Sequence, residues 1–517
     1  MKKYIYITIG LIILIIVISY IFVKDACIVT YCDEEYNCKI IEEKSKVNKL
    51  FNKYKDYKYV KVDKVINEMD IDKENLTISI SNSIANGFKY GLRVNNKVRL
   101  LSEEINSQEL MDFTEEKIDE SALTYYVEHS RDVVLELSDF DNIKVFGTKS
   151  YYKDKDSKTI TKLENIDGFN IKLPEDKDLN ELVRLSAGTL LTMLKDNGMF
   201  IYGYHANTNK AIESYNILRH AGAIYSLIKY YEVSKNEELK EPIDLAFSYL
   251  IKNCLIKKDK NTYYVLEYKD QELKLGGNAL ALLAMTEYQL AFNDTRYYDT
   301  AIKLANGILS FQGKEGTYTH VFNLDYSVKD YTRTTYYDGE ATYALLNLYK
   351  LNNNKKYYDA AKRTVDMFIR ENYTQYKDQW VAYSMNSILQ YDTNDEYIKF
   401  TLDNYNLNDF DSILNFKPIN LELLMNVYDS YNYLLKNNKD NEYVKKFDID
   451  KLKKSIKYHK DLLLKYYISD YYALYFTNPE SVKDGFMSIE DDFRMRIDDI
   501  QHSISGLMLY SKMCKDK

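Results

Sequence analysis

Acidic, basic and aromatic residues cluster at the starts of several apolar, helix-patterned stretches of this 517-residue chain. Tyr215-Asn216-Ile217-Leu218-Arg219-His220 leads into one such stretch, and Leu275-Gly276-Gly277-Asn278 opens another. Tyr336-Tyr337-Asp338-Gly339-Glu340 opens a third, and Asp378-Gln379-Trp380, with the only tryptophan, opens a fourth. Arg494, Arg496, Asp498, Asp499, Gln501 and His502 lead into the last, while the loops add His205, His320 and Arg333. Two carboxyl groups flanking a glycosidic bond work as acid and as base or nucleophile. Glu340 with Asp498 or Asp499 has the residue types for that. Asp338 stands where a carboxylate either reacts or caps a helix. A histidine pair, His220 and His502, would instead abstract and return a proton at a sugar carbon, with Arg219 stabilising developing negative charge. His220 lies in apolar sequence, which suits a core histidine equally well. Asn216, Tyr337, Asn278, Gln501, Arg333, Arg219 and Asp499 are candidate substrate contacts, and Trp380 is a candidate stacking face. Sequence spacing does not choose between the carboxylate pair and the histidine pair.

Other chemistries lack their motifs. The chain has no GxxxxGK[ST], no GxGxxG after a strand, no HExxH and no GxSxG, so nothing points to nucleotide, dinucleotide, zinc-protease or serine-hydrolase chemistry. No Cys/His metal spacing or EF-type loop occurs, and neither a metal nor a cofactor is expected. The net charge is −8, with 78 acidic against 70 basic residues. That balance argues against nucleic acid as a partner, which requires clustered Lys and Arg.

The elements that must position these residues begin after an apolar segment. Residues 4–23 carry no charge and follow Lys2 and Lys3. At ~1.5 Å rise per residue such a segment spans a ~30 Å hydrocarbon core. The lysines place the N-terminus in the cytoplasm, and Lys24-Asp25-Ala26-Cys27 is a poor cleavage site. A transmembrane anchor over 1–23 is therefore expected, with a cleaved signal as the alternative. Either leaves the body outside the cytoplasm. Residues 24–70 are lysine-rich and charged and read as a stalk, with Cys27, Cys32 and Cys38 close enough to allow one disulfide near the membrane. Residues 71–177 read as a small β-rich domain, from the period-two alternation of LTISISNSI and a hairpin turning at Asn95-Asn96.

From 178 to 517 twelve helical stretches follow, and they repeat. GGNALALLAMTEYQLAFNDTRYYDTAIKLANGIL (276–309) overlays DGEATYALLNLYKLNNNKKYYDAAKRTVDMFI (338–369), and residues 220–251 fit the same template. A period of roughly 40–60 residues indicates stacked helical hairpins. Connections within hairpins are short and those between them are long, so the long loops gather on one rim, where function concentrates.

These hairpins, and the helix starts GGNALALL and YYDGEATYALL, resemble the bacterial six-hairpin, or (α/α)6-toroid, proteins: glycoside hydrolases, polysaccharide lyases and N-acylglucosamine 2-epimerase-like enzymes. The resemblance covers 178–517. It implies an (α/α)6 toroid beside a β-rich domain, so that with the segment at 1–23 the expected chain is mainly α, the toroid following a β-rich domain and an N-terminal transmembrane helix. It also implies carbohydrate chemistry, and transfers no family's catalytic residues. With the acidic and aromatic rim and the export segment, it leads to the expectation of a membrane-anchored hydrolase acting on an envelope or extracellular polysaccharide. A sugar epimerase or lyase, and a non-catalytic glycan-binding protein, are the alternatives.

Overall fold

The computed structural model describes residues 26–83, 87–166, 169–175, 178–404, 417–489 and 491–515. The expected anchor at 1–23 lies outside the described residues. No described helix is long and apolar enough to cross a membrane.

The chain is mainly helical, with a β-rich N-terminal part. That part is built on an antiparallel sheet of β1 (Ala26–Cys32), β2 (Cys38–Lys44), β3 (Tyr59–Asp70), β4 (Gly91–Val94), β5 (Val98–Leu100), β6 (Ile143–Asp154) and β7 (Thr161–Lys162). The order is β2-β1-β3-β6-β4-β5, with β7 beside β6. The stalk expected over 24–70 is therefore corrected. Every residue of β1 is buried, and β3 pairs with β1 on one side and β6 on the other. The high charge misled because part of it lies inside. Lys61 is fully buried, with its ammonium 2.8 and 2.9 Å from the Asp63 carboxylate and 3.0 Å from Glu103. Cys32 and Cys38 face each other across the β1–β2 turn and form a disulfide.

A second correction concerns the stretch read as a strand near residue 76. Lys73–Ser81 is a helix, because Asp72 accepts the Asn75 backbone N–H at 2.8 Å and nucleates a turn. The hairpin about Asn95-Asn96 is present as β4–β5, with Asn95 in the left-handed region (φ 50°).

Twelve principal helices follow among the described residues: α1 (Leu179–Thr192), α2 (Ile217–Ser234), α3 (Lys240–Cys254), α4 (Leu275–Phe292), α5 (Tyr298–Phe311), α6 (Tyr336–Asn352), α7 (Lys355–Arg370), α8 (Gln379–Ile388), α9 (Asp395–Asp403), α10 (Ile419–Asn437), α11 (Ile449–Lys465) and α12 (Ile497–Lys515). The even-numbered helices form a closed inner ring. Each packs along the next, and α12 returns to α2. The odd-numbered helices lie outside, each against an inner neighbour. Sequence composition separates the two sets. α4 is buried on every side from Leu275 to Tyr288, which an inner helix requires, whereas α7 buries one stripe, Tyr357, Ala360, Ala361, Thr364, Val365 and Phe368. Lys235, Asn293 and Asn353 end α2, α4 and α6 in left-handed caps, which makes the short turns within hairpins.

All six inner helices start at the same mouth of the ring. Adjacent ones approach closely there. A Cβ built on Gly339 of α6 would lie 2.7 Å from Trp380 Cβ and 2.9 Å from the Val381 amide nitrogen of α8. Gly339→Ala should therefore cost about 1–3 kcal/mol through overpacking. Urea denaturation measures it, and an unchanged midpoint would contradict this close contact.

Candidate active site

A cleft of 520 Å³ opens at the mouth where the inner helices begin. Asn216, Arg219, Tyr337, Glu340, Trp380, Asp498, Asp499, Gln501 and His502 all line it. They come from α2, α6, α8 and α12, so only ring closure assembles them. The segment between α11 and α12 adds Phe486, Met487, Ser488 and Asp491 as a wall. The β-rich part fixes the base of that segment. Tyr475 reaches into the buried cluster, its hydroxyl 3.3 Å from Lys61 Nζ and 3.0 Å from Thr30 Oγ1, and Gln108 Nε2 donates to the Tyr475 carbonyl at 2.8 Å.

Glu340 sits one turn into α6 and is 4 % exposed. Its Oε2 is buried and has no hydrogen-bond partner. Burial pushes its carboxyl well above the ordinary 4.5. The buried Asp378 adds to this, Arg219 pulls against it, and Asp338 adds further. These influences drive Glu340 toward the neutral acid. Gly276 leaves it room, since a Cβ there would stand 2.3 Å from Oε2.

Asp498 is held the other way. Burial alone would raise its carboxyl, but Arg219 and Arg496 outweigh that and keep it below its ordinary value. Arg219 Nε donates to Oδ2 at 2.5 Å, and Arg496 Nη2 donates to the same oxygen at 3.0 Å. Asp499 is pushed up by burial and by its neighbour Asp498, against Arg496 and Arg494. It also accepts the Arg496 backbone N–H at 3.0 Å, which turns the chain into α12.

His502 Nδ1 lies 2.6 Å from Glu422 Oε1. Burial works against the imidazolium, but the Glu422 carboxylate and then Asp498 raise it above its ordinary 6.5. Glu422 is fully buried in α10 and also accepts the Tyr383 hydroxyl at 2.8 Å. Sequence reasoning missed Glu422. Its signal was a single carboxyl inside the apolar run INLELLMNVY. Gln379 also lines the cleft, with a buried side-chain oxygen that has no partner.

Four expected residues lie elsewhere. His220 is completely buried behind the ring. The Phe200 backbone N–H donates to the Tyr215 oxygen (3.2 Å), the Tyr215 hydroxyl donates to Nδ1 (2.7 Å), and Nε2–H donates to the Ala246 carbonyl (3.0 Å). Burial depresses it to about 4, so it is a neutral core histidine and no partner for His502 across the cleft. Asp338 does not line the cleft. Thr335 occupies the cap position, and the Asp338 carboxylate takes the Tyr373 hydroxyl at 2.9 Å and His320 Nε2–H at 3.3 Å. Asn278 is structural, accepting from Val265 N at 2.8 Å and donating to the Lys274 carbonyl at 2.7 Å. Arg333 pairs with Glu272 at 3.1 Å and with Asp330 outside the cleft. Among the described residues, no group of three His, Cys, Asp or Glu side chains is arranged to hold a metal ion.

No family model matches the chain, and no curated protein matches it. Among solved structures it is similar to cellobiose 2-epimerase from Bacillus thermoamylovorans, at 14% identity and a TM-score of 0.49 over 66% of this chain and 100% of that one. It is also similar to an inactive variant of an alpha-1,6-mannanase of Salegentibacter sp. in complex with alpha-1,6-mannotriose (11% identity, TM-score 0.46, 65% of this chain and 100% of that chain). A third similar structure is an unsaturated glucuronyl hydrolase specific for heparin (9% identity, TM-score 0.47, 66% of this chain and 99% of that chain). The ring and its cleft are defined by the chain's own contacts.

The raised Glu340 carboxyl has a consequence for stability. A group with a folded pKa above its unfolded value favours folding below the unfolded value, and that contribution is lost as pH rises toward the folded one. Glu340→Gln cannot ionise in either state. Its melting temperature should track the wild type below the ordinary value of 4.5 and exceed it increasingly above. A constant difference across the pH series would contradict a neutral Glu340.

Proposed function

We propose that this chain is a carbohydrate-active hydrolase that cleaves glycosidic bonds, with Glu340 as the proton donor. One observation carries the reading: two carboxyl groups of one cleft are driven in opposite directions, Glu340 toward the neutral acid and Asp498 toward the carboxylate. Such a separation assigns acid and base roles. Glu340 would protonate the leaving glycosidic oxygen. Asp498 would stabilise the positive charge that develops at the sugar carbon or activate water. Trp380, expected as a stacking face, is only 2 % exposed and packs among Tyr225, Tyr343 and Tyr383, so it lines the cleft as core; Tyr337, Gln379 and Gln501 line it beside the two carboxyls.

The uncharged segment at 4–23 supports an extracytoplasmic body tethered to the membrane. The Cys32–Cys38 disulfide fits an oxidising compartment. An envelope or extracellular polysaccharide is then the accessible substrate.

A specific observation favours a second reading. His502 is oriented by Glu422 through Nδ1, which leaves Nε2 for the cleft, as a sugar epimerase or lyase would need. Product analysis separates the two. Hydrolysis incorporates labelled oxygen from water, elimination gives an unsaturated sugar, and epimerisation leaves the mass unchanged.

Glu340→Gln should lower kcat about 10²–10⁴-fold on a cleaved glycan, with its melting curve still cooperative. Full activity in that variant would overturn the assignment.

A further inference from the structure

The inner ring has a second mouth. A cavity of 610 Å³ lies at the C-terminal ends of the inner helices and shares no lining residue with the cleft. Trp380 closes the bore between them. Its ring centroid lies 5.5 Å from that of Tyr383, 6.2 Å from Tyr343 and 6.3 Å from Tyr225, all three of which line the rear cavity.

The chemistry of this cavity is specific. Tyr343 is half-buried, which leaves part of its ring open. Asn386 and Asn426 add amide groups beside it. Ser505 is 5 % exposed, lines the cavity, and its hydroxyl has no hydrogen-bond partner. Lys229 is neutralised locally by Glu232 and by Glu287, the latter 3.4 Å away, and Lys350, Lys512 and Asp429 are the other charged residues of the lining. Flat aromatic surface beside amide and hydroxyl groups suits a polyhydroxylated ligand, which stacks a sugar face on the ring and hydrogen-bonds at its edge.

We propose that this rear cavity is a second saccharide-binding site, taking a neutral mono- or disaccharide against Tyr343, with Ser505 hydrogen-bonded to it. The proposal is independent of the hydrolase reading. It would hold if the front cleft did other chemistry, and its test does not read turnover.

The experiment is calorimetric titration of the full chain carrying Glu340→Gln, which prevents turnover of the probes by the proposed acid. The probes are glucose, mannose, N-acetylglucosamine, cellobiose and glucose 6-phosphate. At least one neutral sugar should bind, and adding Tyr343→Ala should weaken that event about tenfold or more, equivalent to ~1.4 kcal/mol. Asn386→Ala is a milder second variant, and Tyr383 is left alone because it holds Glu422. Gln379→Ala, in the front cleft, should leave the rear event intact. Three outcomes would overturn the proposal: no neutral sugar binding, binding indifferent to both rear variants but lost with Gln379→Ala, or glucose 6-phosphate binding more tightly than glucose.

Discussion

Arg219 and Asp498 are 279 residues apart in sequence and form one ion pair. Arg219 stands at the start of the first inner helix, and Asp498 at the start of the last. Their bond spans the seam where the ring closes. The same bond governs the chemistry. Arg219 is a cation that acts on Glu340, and Asp498 shares its charge. With Arg219 so engaged, burial and the neighbouring carboxyls prevail at Glu340, while Asp498 stays ionised. One contact thus sits both at the seam of the ring, which the packing of α2 against α12 closes, and between the two carboxyls of the cleft.

The β-rich part serves the same site from a distance. Its buried Lys61–Asp63–Glu103 cluster receives Tyr475, from the segment that later supplies Phe486, Met487 and Ser488 to the cleft wall. Burying an ammonium between two carboxylates costs desolvation that excellent geometry must offset. Lys61 meets that demand with three carboxylate contacts of 2.8–3.0 Å. One wall of the cleft therefore depends on a charge cluster in another part of the chain.

The helices were legible because a ring forces periodicity on them. An outer helix buries a single stripe, as α7 does with Tyr357, Ala361, Thr364 and Phe368, and the repeat follows from stacking like units. The cleft was largely legible for a related reason: helix starts gather at one mouth, so Glu340, Trp380, Asp498 and His502 could be grouped before any distance was known. Sequence reading failed where tertiary context reverses the usual meaning of a residue. Charge in β3 meant an internal cluster, where solvated charge had suggested a stalk. Glu422 looked like one polar position on a helix until ring closure set it against His502. His220 carries the right functional group, but Tyr215 and the Ala246 carbonyl occupy both of its nitrogens.

The proposed chemistry requires Glu340 to be protonated at neutral pH in the same cleft as an ionised Asp498. Infrared difference spectroscopy between the wild type and Glu340→Gln at pH 7 tests it directly. The wild type should show the carbonyl band of a protonated carboxylic acid that the variant lacks. If the difference spectrum shows only carboxylate bands, Glu340 is ionised and cannot be the proton donor.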